Sequence, residues 1–142
     1  MTLTRDRRNE LLAAAPLFAE VDPAGLERIA ERTIEVVFTD GHVIARQGEV
    51  GTGFFLIASG SAHVIRDGRT VATLGPGDFF GELSVLDGRP RIAQVVAAGE
   101  TTCLALATWD LEAVITEQPS VALALLRALA ERLRTLTEAD RH

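Results

Sequence analysis

Between residues 34 and 108 the chain consists of short β-branched and aromatic runs that are separated by turns containing glycine. The runs are TIEVVFT, HVIARQ, GFFLIAS, SAHVIR, TVATLG, IAQVVAA and TTCLALAT. The turn dipeptides are Asp40-Gly41, Ser59-Gly60, Asp67-Gly68 and Gly99-Glu100. Glycine accepts the positive φ angles that tight hairpins require. Short strands at this spacing predict an antiparallel sandwich or barrel. The segment GELSVLDG interrupts the pattern and predicts one or two helical turns.

Helical patterns precede the strands over residues 5–32. NELLAAAPLF predicts a short apolar helix that stops at Pro16. A second helix is expected to begin with Asp22 as its N-cap and Pro23 in the first helical position, because both residues are good helix-start signals.

Helical patterns return over residues 109–138. We expect Thr108 or Asp110 to cap a helix that Pro119 ends, followed by a long amphipathic helix. That helix carries a heptad seam formed by Ala122, Leu126, Leu129, Leu133 and Leu136. A second apolar stripe beside the seam contains Val121, Leu125 and Ala128. Either one stripe packs on the strands while the other meets a partner, as in a homodimer, or both form a single wide face toward the core.

The bulk properties narrow the class of protein. With 142 residues, of which 47% are hydrophobic, the chain has the size of one globular domain. A single cysteine, Cys103, excludes an internal disulfide framework and favours a reducing compartment. No run approaches the roughly 18 apolar residues of a membrane span, and the N-terminus lacks the apolar stretch of a signal peptide. We therefore expect a cytoplasmic protein, and the net charge of −6 argues against nucleic acid or anionic membrane as a partner.

Two charged residues, Glu82 and Arg91, are set among apolar residues and glycines in the stretch from Gly77 to Val96. Burying them is costly unless something meets them. The free N–H groups of Gly81, Glu82 and Leu83, at the start of the expected helical segment, would form a positive end suited to an anion. Arginine offers a planar fork that matches two phosphate oxygens, whereas an ionised glutamate accepts protons from sugar hydroxyls. These features predict a pocket for a sugar phosphate, and the simpler alternative is an ion pair between the two side chains.

The stretch FFGELSVLDGRPRIAQVV resembles the phosphate-binding cassette of cyclic nucleotide-binding domains. The similarity continues through DGHVIARQGEVGTGFFLIASGSAHVIRDGRTVATLGPGDFFGELSVL and covers residues 10–138. It implies an α+β, mainly β fold: an eight-stranded antiparallel β-roll of the jelly-roll type, with N-terminal helices and two C-terminal helices. The implied arrangement is a single domain over residues 1–142, with the β-roll at 33–108 between helical parts at 5–32 and 109–138.

The resemblance also assigns roles to individual residues. Arg91 would bind the cyclic phosphate, Glu82 the ribose 2′-hydroxyl, and the backbone amides of Gly81 and Ala93 would contact the nucleotide. Val64 and Val71 occupy the positions that pack beside the base. The last helix would cap the base through Arg132, Leu136 and Thr137.

Ile92 departs from the family pattern. The residue after the phosphate arginine is often Ala, Ser or Thr in these domains, and a hydroxyl there commonly favours cGMP. Gln94 likewise stands where Thr is common. Because Ile92 has no hydroxyl, the resemblance favours cAMP over cGMP as the ligand.

The function that the resemblance implies is reversible binding of a cyclic nucleotide by a regulatory domain that is not an enzyme and needs no cofactor. Phosphate binding would draw the cassette inward together with Leu83, and the C-terminal helices would swing against the roll. Transcription factors of the family add a helix-turn-helix, and because the sequence stops at His142 we expect a stand-alone sensor or a fragment of a longer one with an unknown effector.

Two other classes remain as alternatives. The first is a nucleotide-independent interaction module that uses the roll as a scaffold and the leucine seam for dimerisation. The second is a small enzyme or metal protein on a β-roll. It lacks a clear ligand set, since His42 and His63 are isolated, Ser84 has no base beside it, and Cys103 fits a small core residue.

Overall fold

The computed structural model describes residues 3–49, 53–81 and 90–139. Its N-terminal part contains helix α1 (Arg5–Ala14), a 3-10 turn (Pro16–Phe18) and helix α2 (Pro23–Arg32). The strands are β1 (Ile34–Phe38), β2 (Val43–Ala45), β3 (Gly53–Ser59), β4 (Ala62–Arg66), β5 (Arg69–Leu74), β6 (Phe79–Phe80), β7 (Gln94–Ala97) and β8 (Thr101–Ala107). Helices α3 (Thr108–Glu117) and α4 (Pro119–Ala139) follow. The expected helical turns of GELSVLDG lie outside the described residues, apart from Gly81.

The described strands form two four-stranded antiparallel sheets, as the β-roll prediction requires. The strand orders are β1-β8-β3-β6 and β2-β7-β4-β5. Asp67 and Gly68 both have positive φ angles, 51° and 79°, which fits the two-residue turn that joins β4 to β5. At Gly60 the φ angle is 87°, and a Cβ atom there would lie 2.4 Å from the carbonyl oxygen of Glu100. The Asp67-Gly68 turn therefore joins two paired strands, whereas Ser59-Gly60 joins β3 to β4, which lie in different sheets.

Alternation along the strands divides the apolar core into two parts. On β3, Phe54 and Leu56 face the helices, where they pack with residues such as Phe18 and Val114. Ile57 instead faces the interior between the sheets and packs with Cys103 and other small apolar residues. Burial raises the pKa of the Cys103 thiol to about 12, because the thiolate would lose its hydration. The prediction of Cys103 as a core residue is confirmed.

The helix-start signals of α2 are confirmed, whereas those of α3 are wrong. The Asp22 carboxylate accepts a hydrogen bond from the Gly25 N–H at 2.7 Å. At α3, Ala107 is the N-cap and no side chain caps the helix. Because β8 runs directly into the helix, Thr108 is already its first helical residue. Asp110 forms an ion pair with Arg32 of α2 at 3.2 Å instead of capping.

The two apolar stripes of α4 separate in the structure. Val121 and Leu125 are buried against the helix-facing core, with 1% and 3% exposure. Leu126 and Leu133 of the seam are 63% and 66% exposed, while Leu129 is partly buried at the edge of the core. The single wide stripe toward the core is therefore wrong, and the seam is largely open to solvent.

Among the described residues, no single helix is both long and apolar enough to cross a membrane; α3 and α4 satisfy the length and composition together but meet at a bend of 117°.

Candidate ligand-binding site

A cavity of about 350 Å³ lies beside the sheet that contains β4, β5 and β7. The described residues that line it are Val64, Arg66, Val71, Leu74, Phe79, Phe80, Gly81, Arg91, Ile92, Ala93, Val95 and Arg132. This volume is within the range of small-molecule pockets, and the lining combines apolar walls with a few polar groups, as such pockets do.

The structure brings most of the predicted site residues to this one cavity. Those present are Val64, Val71, Gly81, Arg91, Ile92, Ala93 and Arg132. Glu82 and Leu83 lie outside the described residues. The fold therefore brings together residues of β4, β5, the cassette and α4 that are distant in sequence.

Thr137 is not among the residues that line the cavity. It lies five residues beyond Arg132, which places it roughly 140° away around the helix. Its hydroxyl donates to the carbonyl oxygen of Leu133 at 2.9 Å. Leu136, which shares a face with Arg132, lines a neighbouring cavity instead.

Arg91 is held at both its backbone and its side chain. Its N–H donates to the Glu49 carbonyl oxygen, and its own carbonyl oxygen accepts from the Gly48 N–H, both at 2.8 Å. Nη2 of the guanidinium donates to the carbonyl oxygen of Gly53 at 2.9 Å. The half-buried side chain is therefore positioned at the cavity wall, and a guanidinium is a group that suits an anion.

Gly81 lies directly against the Arg91 guanidinium. Its φ angle is 89°, a region that favours glycine. A Cβ atom at this position would lie 2.6 Å from the Gly53 carbonyl oxygen and 2.8 Å from Nη1 of Arg91. The close approach of the two residues thus depends on the missing side chain.

Most of the remaining described lining is apolar, and part of it is exposed. Val64 is half-buried, whereas Val71 and Ile92 are 59% and 69% exposed although both line the cavity. Exposed aliphatic side chains around a cavity offer a surface on which a flat apolar group can pack.

The cavity also contains residues that the sequence analysis did not assign to the site. Arg66 lies two residues after Val64 on β4, so the alternation of a strand places both on one face and was the signal that could have identified it. Phe79 and Phe80 come from the quoted stretch itself. Their rings stack on Phe54 and Phe55, with centroids 5.7 and 5.2 Å apart.

Three arginines, Arg66, Arg91 and Arg132, line the cavity, and none of its described lining residues is acidic. The whole chain has a net charge of −6. The described lining residues therefore carry positive charge, which suits an anionic ligand.

A second cavity, of about 440 Å³, adjoins the first between the 3-10 turn and α4. Phe79 and Arg132 line both cavities. The other lining residues are Pro16, Leu17, Ala19, Glu20, Ala128, Leu129, Glu131, Thr135 and Leu136. This cavity therefore lies between the N-terminal segment and the C-terminal half of α4, although Leu129 still packs at the edge of the core.

Metal-binding side chains do not gather anywhere in the described part of the chain, which contains no group of three or more His, Cys, Asp or Glu residues placed to hold an ion. His63 forms a hydrogen bond with the Thr73 hydroxyl at 3.2 Å.

Comparison with known proteins agrees with this geometry. A family model described as "Cyclic nucleotide-binding domain" matches residues 35–118. The chain is 34% identical over 131 residues to a CRP-like cAMP-activated global transcriptional regulator of Mycobacterium tuberculosis, covering 89% of this chain and 58% of that protein. It is 37% identical over 134 residues to the cyclic AMP receptor protein of Thermus thermophilus, with 91% and 61% covered. The chain thus spans about three fifths of these relatives' length.

A solved structure resembles the whole fold. The N-terminal domain of a transcriptional regulator from Streptomyces coelicolor superposes with a TM-score of 0.82 at 35% identity, covering 91% of this chain and 93% of that domain. The match includes both the helices and the two sheets, and the family is one of regulatory rather than enzymatic domains. The chain therefore belongs to the cyclic nucleotide-binding domain family, together with CRP-like regulators and the regulatory subunits of cAMP-dependent protein kinase.

Proposed function

We propose that this domain binds a 3′,5′-cyclic nucleotide reversibly, with cAMP preferred, and does no chemistry on it. The observation that carries the proposal is the position of Arg91 and Gly81 at one corner of an apolar cavity whose described lining has no acidic residue. A single phosphate charge with a flat purine is complementary to that combination.

The described cavity and the family pattern together offer a group for each part of the ligand. Arg91 binds the phosphate, assisted by the backbone amides of Gly81 and Ala93. Glu82 takes the ribose 2′-hydroxyl, as the family pattern implies. The base packs on Val64 and Val71.

The preference for cAMP rests on two observations. Ile92 lines the cavity and provides no hydroxyl for a guanine. Two relatives carry cyclic AMP in their names as the activating or recognised ligand.

We also propose that the domain acts in the cytoplasm.

Ligand binding would be transmitted through α4. Arg132 and Phe79 line both cavities, so a nucleotide in the first changes contacts at the edge of the second. The empty space beside the 3-10 turn leaves room for α4 to approach the roll. This is a shift between two helix positions that ligand contacts favour differently.

Titration calorimetry with cAMP, cGMP and AMP tests the proposal. We expect cAMP to bind most tightly, cGMP more weakly, and AMP weakest because its open phosphate carries a different shape and charge. Saturation at 100 times Kd should stabilise the fold by about 2.7 kcal/mol. If millimolar cAMP gives neither heat nor a thermal shift, the proposed function is wrong.

Self-association through α4 is a second proposed activity, favoured by the exposed seam. Leu126 and Leu133 are seven residues apart and both more than half exposed, which is the pattern of a helix that pairs with another copy. A homodimer of this kind is compatible with ligand binding. It would also be expected if the domain were instead a nucleotide-independent interaction module.

We expect Leu133→Asp to convert the dimer to a monomer, since it places a charge in an apolar interface. Light scattering coupled to gel filtration measures the mass. Leu123→Asp is the matched control: Leu123 is also exposed, at 49%, but lies off the seam. A wild-type monomer, or equal loss in both variants, would refute the seam as the interface.

A further inference from the structure

Two exposed side chains near the first cavity form a reciprocal hydrogen-bonded pair. Nε2 of Gln47 donates to Oδ1 of Asp67 at 2.8 Å, and the backbone N–H of Asp67 donates to Oε1 of Gln47 at 3.1 Å. Gln47 follows β2, and Asp67 lies in the turn between β4 and β5. We call this pair the Gln47–Asp67 bridge.

The bridge joins the β2 side of the sheet to the β4 side at a level that lies before the first residue of β7. β7 lies between β2 and β4, and its first residue is Gln94, opposite Ile65 of β4. Ile92 and Ala93 precede it and are outside the ladder. Beyond Ile65, therefore, the Gln47–Asp67 bridge spans from the β2 side of the sheet to the β4–β5 turn.

At one end, the bridge is connected through the backbone to Arg91 and Gly81, the corner of the cavity where we propose that the phosphate binds. We call this corner the phosphate corner. Gly48 and Glu49, which follow Gln47 directly, hold the backbone of Arg91 through two hydrogen bonds of 2.8 Å. A displacement of this segment would be passed to Arg91 through those bonds.

At its other end, the bridge is connected through the backbone of β4 to Val64, where we propose that the base packs. We call this part of the cavity the base wall. Asp67 directly follows Arg66, and Arg66 and Val64 both line the cavity from β4. Asp67 has a φ angle of 51°, which Asp and Asn tolerate better than most residues. The turn geometry therefore aims the Asp67 carboxylate at Gln47 while Arg66 stays at the cavity.

We propose that Gln47 is a positioning residue for ligand binding. Through Asp67 it fixes the separation between the phosphate corner at Arg91 and the base wall at Val64. The inference rests on the proposed function and adds a residue that lines neither cavity. A cyclic nucleotide contacts both ends at once, so a cavity with a fixed separation loses less entropy when it binds.

Four variants test the bridge by cAMP titration. Gln47→Met removes both hydrogen bonds without changing charge, and Gln47→Glu sets two carboxylates against each other. We expect each to weaken cAMP binding about five- to tenfold, the size of one or two exposed hydrogen bonds. Asp67→Asn should bind like wild type, because its amide oxygen still accepts from Gln47.

The double variant Gln47→Glu/Asp67→Asn is the decisive control. The new amide at position 67 can donate to the new carboxylate at position 47, so the bridge is restored with its direction reversed. We expect cAMP affinity to return to within about twofold of wild type. Melting temperatures of the ligand-free variants are measured alongside, because loss of the bridge lowers the stability of the fold, whereas positioning appears as a change in the cAMP affinity of the folded protein.

The outcomes divide cleanly. If wild type binds cAMP and Gln47→Met binds it equally tightly, the bridge does not position the site and the inference is overturned. Failure of the double variant to recover also overturns it. If wild type itself does not bind, the proposed function fails first, and the inference fails with it.

Discussion

We expect the Arg91→Ala variant to bind cAMP at least about a hundredfold more weakly than wild type. Arg91 presents its guanidinium at the corner of the cavity where we propose that the phosphate binds, and hydrogen bonds to a charged group contribute about 1.5–3 kcal/mol each. A bidentate contact therefore corresponds to a factor of roughly a hundred to a few tens of thousands in affinity. Calorimetric titration measures the loss directly, and a thermal-shift series gives the same ranking.

Two further arginines in the same cavity provide the controls. Arg66→Ala and Arg132→Ala also remove one positive charge from the lining, so a general electrostatic effect would weaken binding equally in all three variants. We expect a much smaller loss in both. Arg91→Lys should retain part of the affinity, because it keeps the charge but loses the planar fork. If Arg66→Ala or Arg132→Ala costs more than Arg91→Ala, the phosphate is bound elsewhere in the cavity.

The loss must also be separated from damage to the fold. Arg91 donates to the Gly53 carbonyl oxygen, and this bond disappears in the alanine variant. A charge-assisted hydrogen bond of this kind contributes about 1.5–3 kcal/mol to stability, which lowers the melting temperature but does not by itself lower the affinity of the folded protein. Comparing melting temperatures of the ligand-free proteins separates the two effects.

The strands and their turns could be predicted because the physical signals are local. The continuous apolar run GFFLIAS, bounded by glycine and serine, predicts a strand that is buried on both faces, and Asp67-Gly68 favours positive φ angles. Likewise, Asp22 followed by Pro23 specifies where α2 begins, whatever the helix packs on. Each of these features is decided within a few residues of the chain.

The errors occur where neighbouring elements compete for the same residue. Thr108 is a good capping residue in isolation, but β8 continues to Ala107 and leaves Thr108 inside the helix. Asp110 is similarly recruited by Arg32, which belongs to a distant helix. Such choices depend on tertiary contacts that no local pattern contains.

The site shows the same division. Arg91 and Gly81 were recognisable from their own segment, whereas Arg66 joins the cavity only because β4 runs beside β7. On α4, the resemblance assigned both Arg132 and Thr137 to the site, and nothing in the sequence distinguished between them. The rotation of the helix brings Arg132 to the cavity and leaves Thr137 out, and that rotation is fixed by Val121 and Leu125 in the core.

We expect Gly81→Ala to weaken cAMP binding by about tenfold or more and to destabilise the fold. The new Cβ would lie 2.6 Å from the Gly53 carbonyl oxygen, a backbone atom, and 2.8 Å from Nη1 of Arg91. To relieve these contacts, either β3 at Gly53 or the guanidinium of Arg91 must move. Both form the corner of the cavity where we propose that the phosphate binds. The left-handed backbone at a φ angle of 89° adds roughly 1–2 kcal/mol of strain for any residue with a Cβ.

Gly77→Ala separates the strain from the collision. Gly77 has nearly the same φ angle, 91°, but a Cβ atom there would meet nothing within 4 Å. Both variants should therefore lose similar stability from the backbone, as measured by chemical unfolding, while Gly81→Ala alone should lose the additional affinity for cAMP. Equal affinities in the two variants would mean that Gly81 is needed only for its backbone conformation. A loss confined to Gly81→Ala would mean that Arg91 can bind phosphate only where no side chain occupies the space between it and the Gly53 carbonyl.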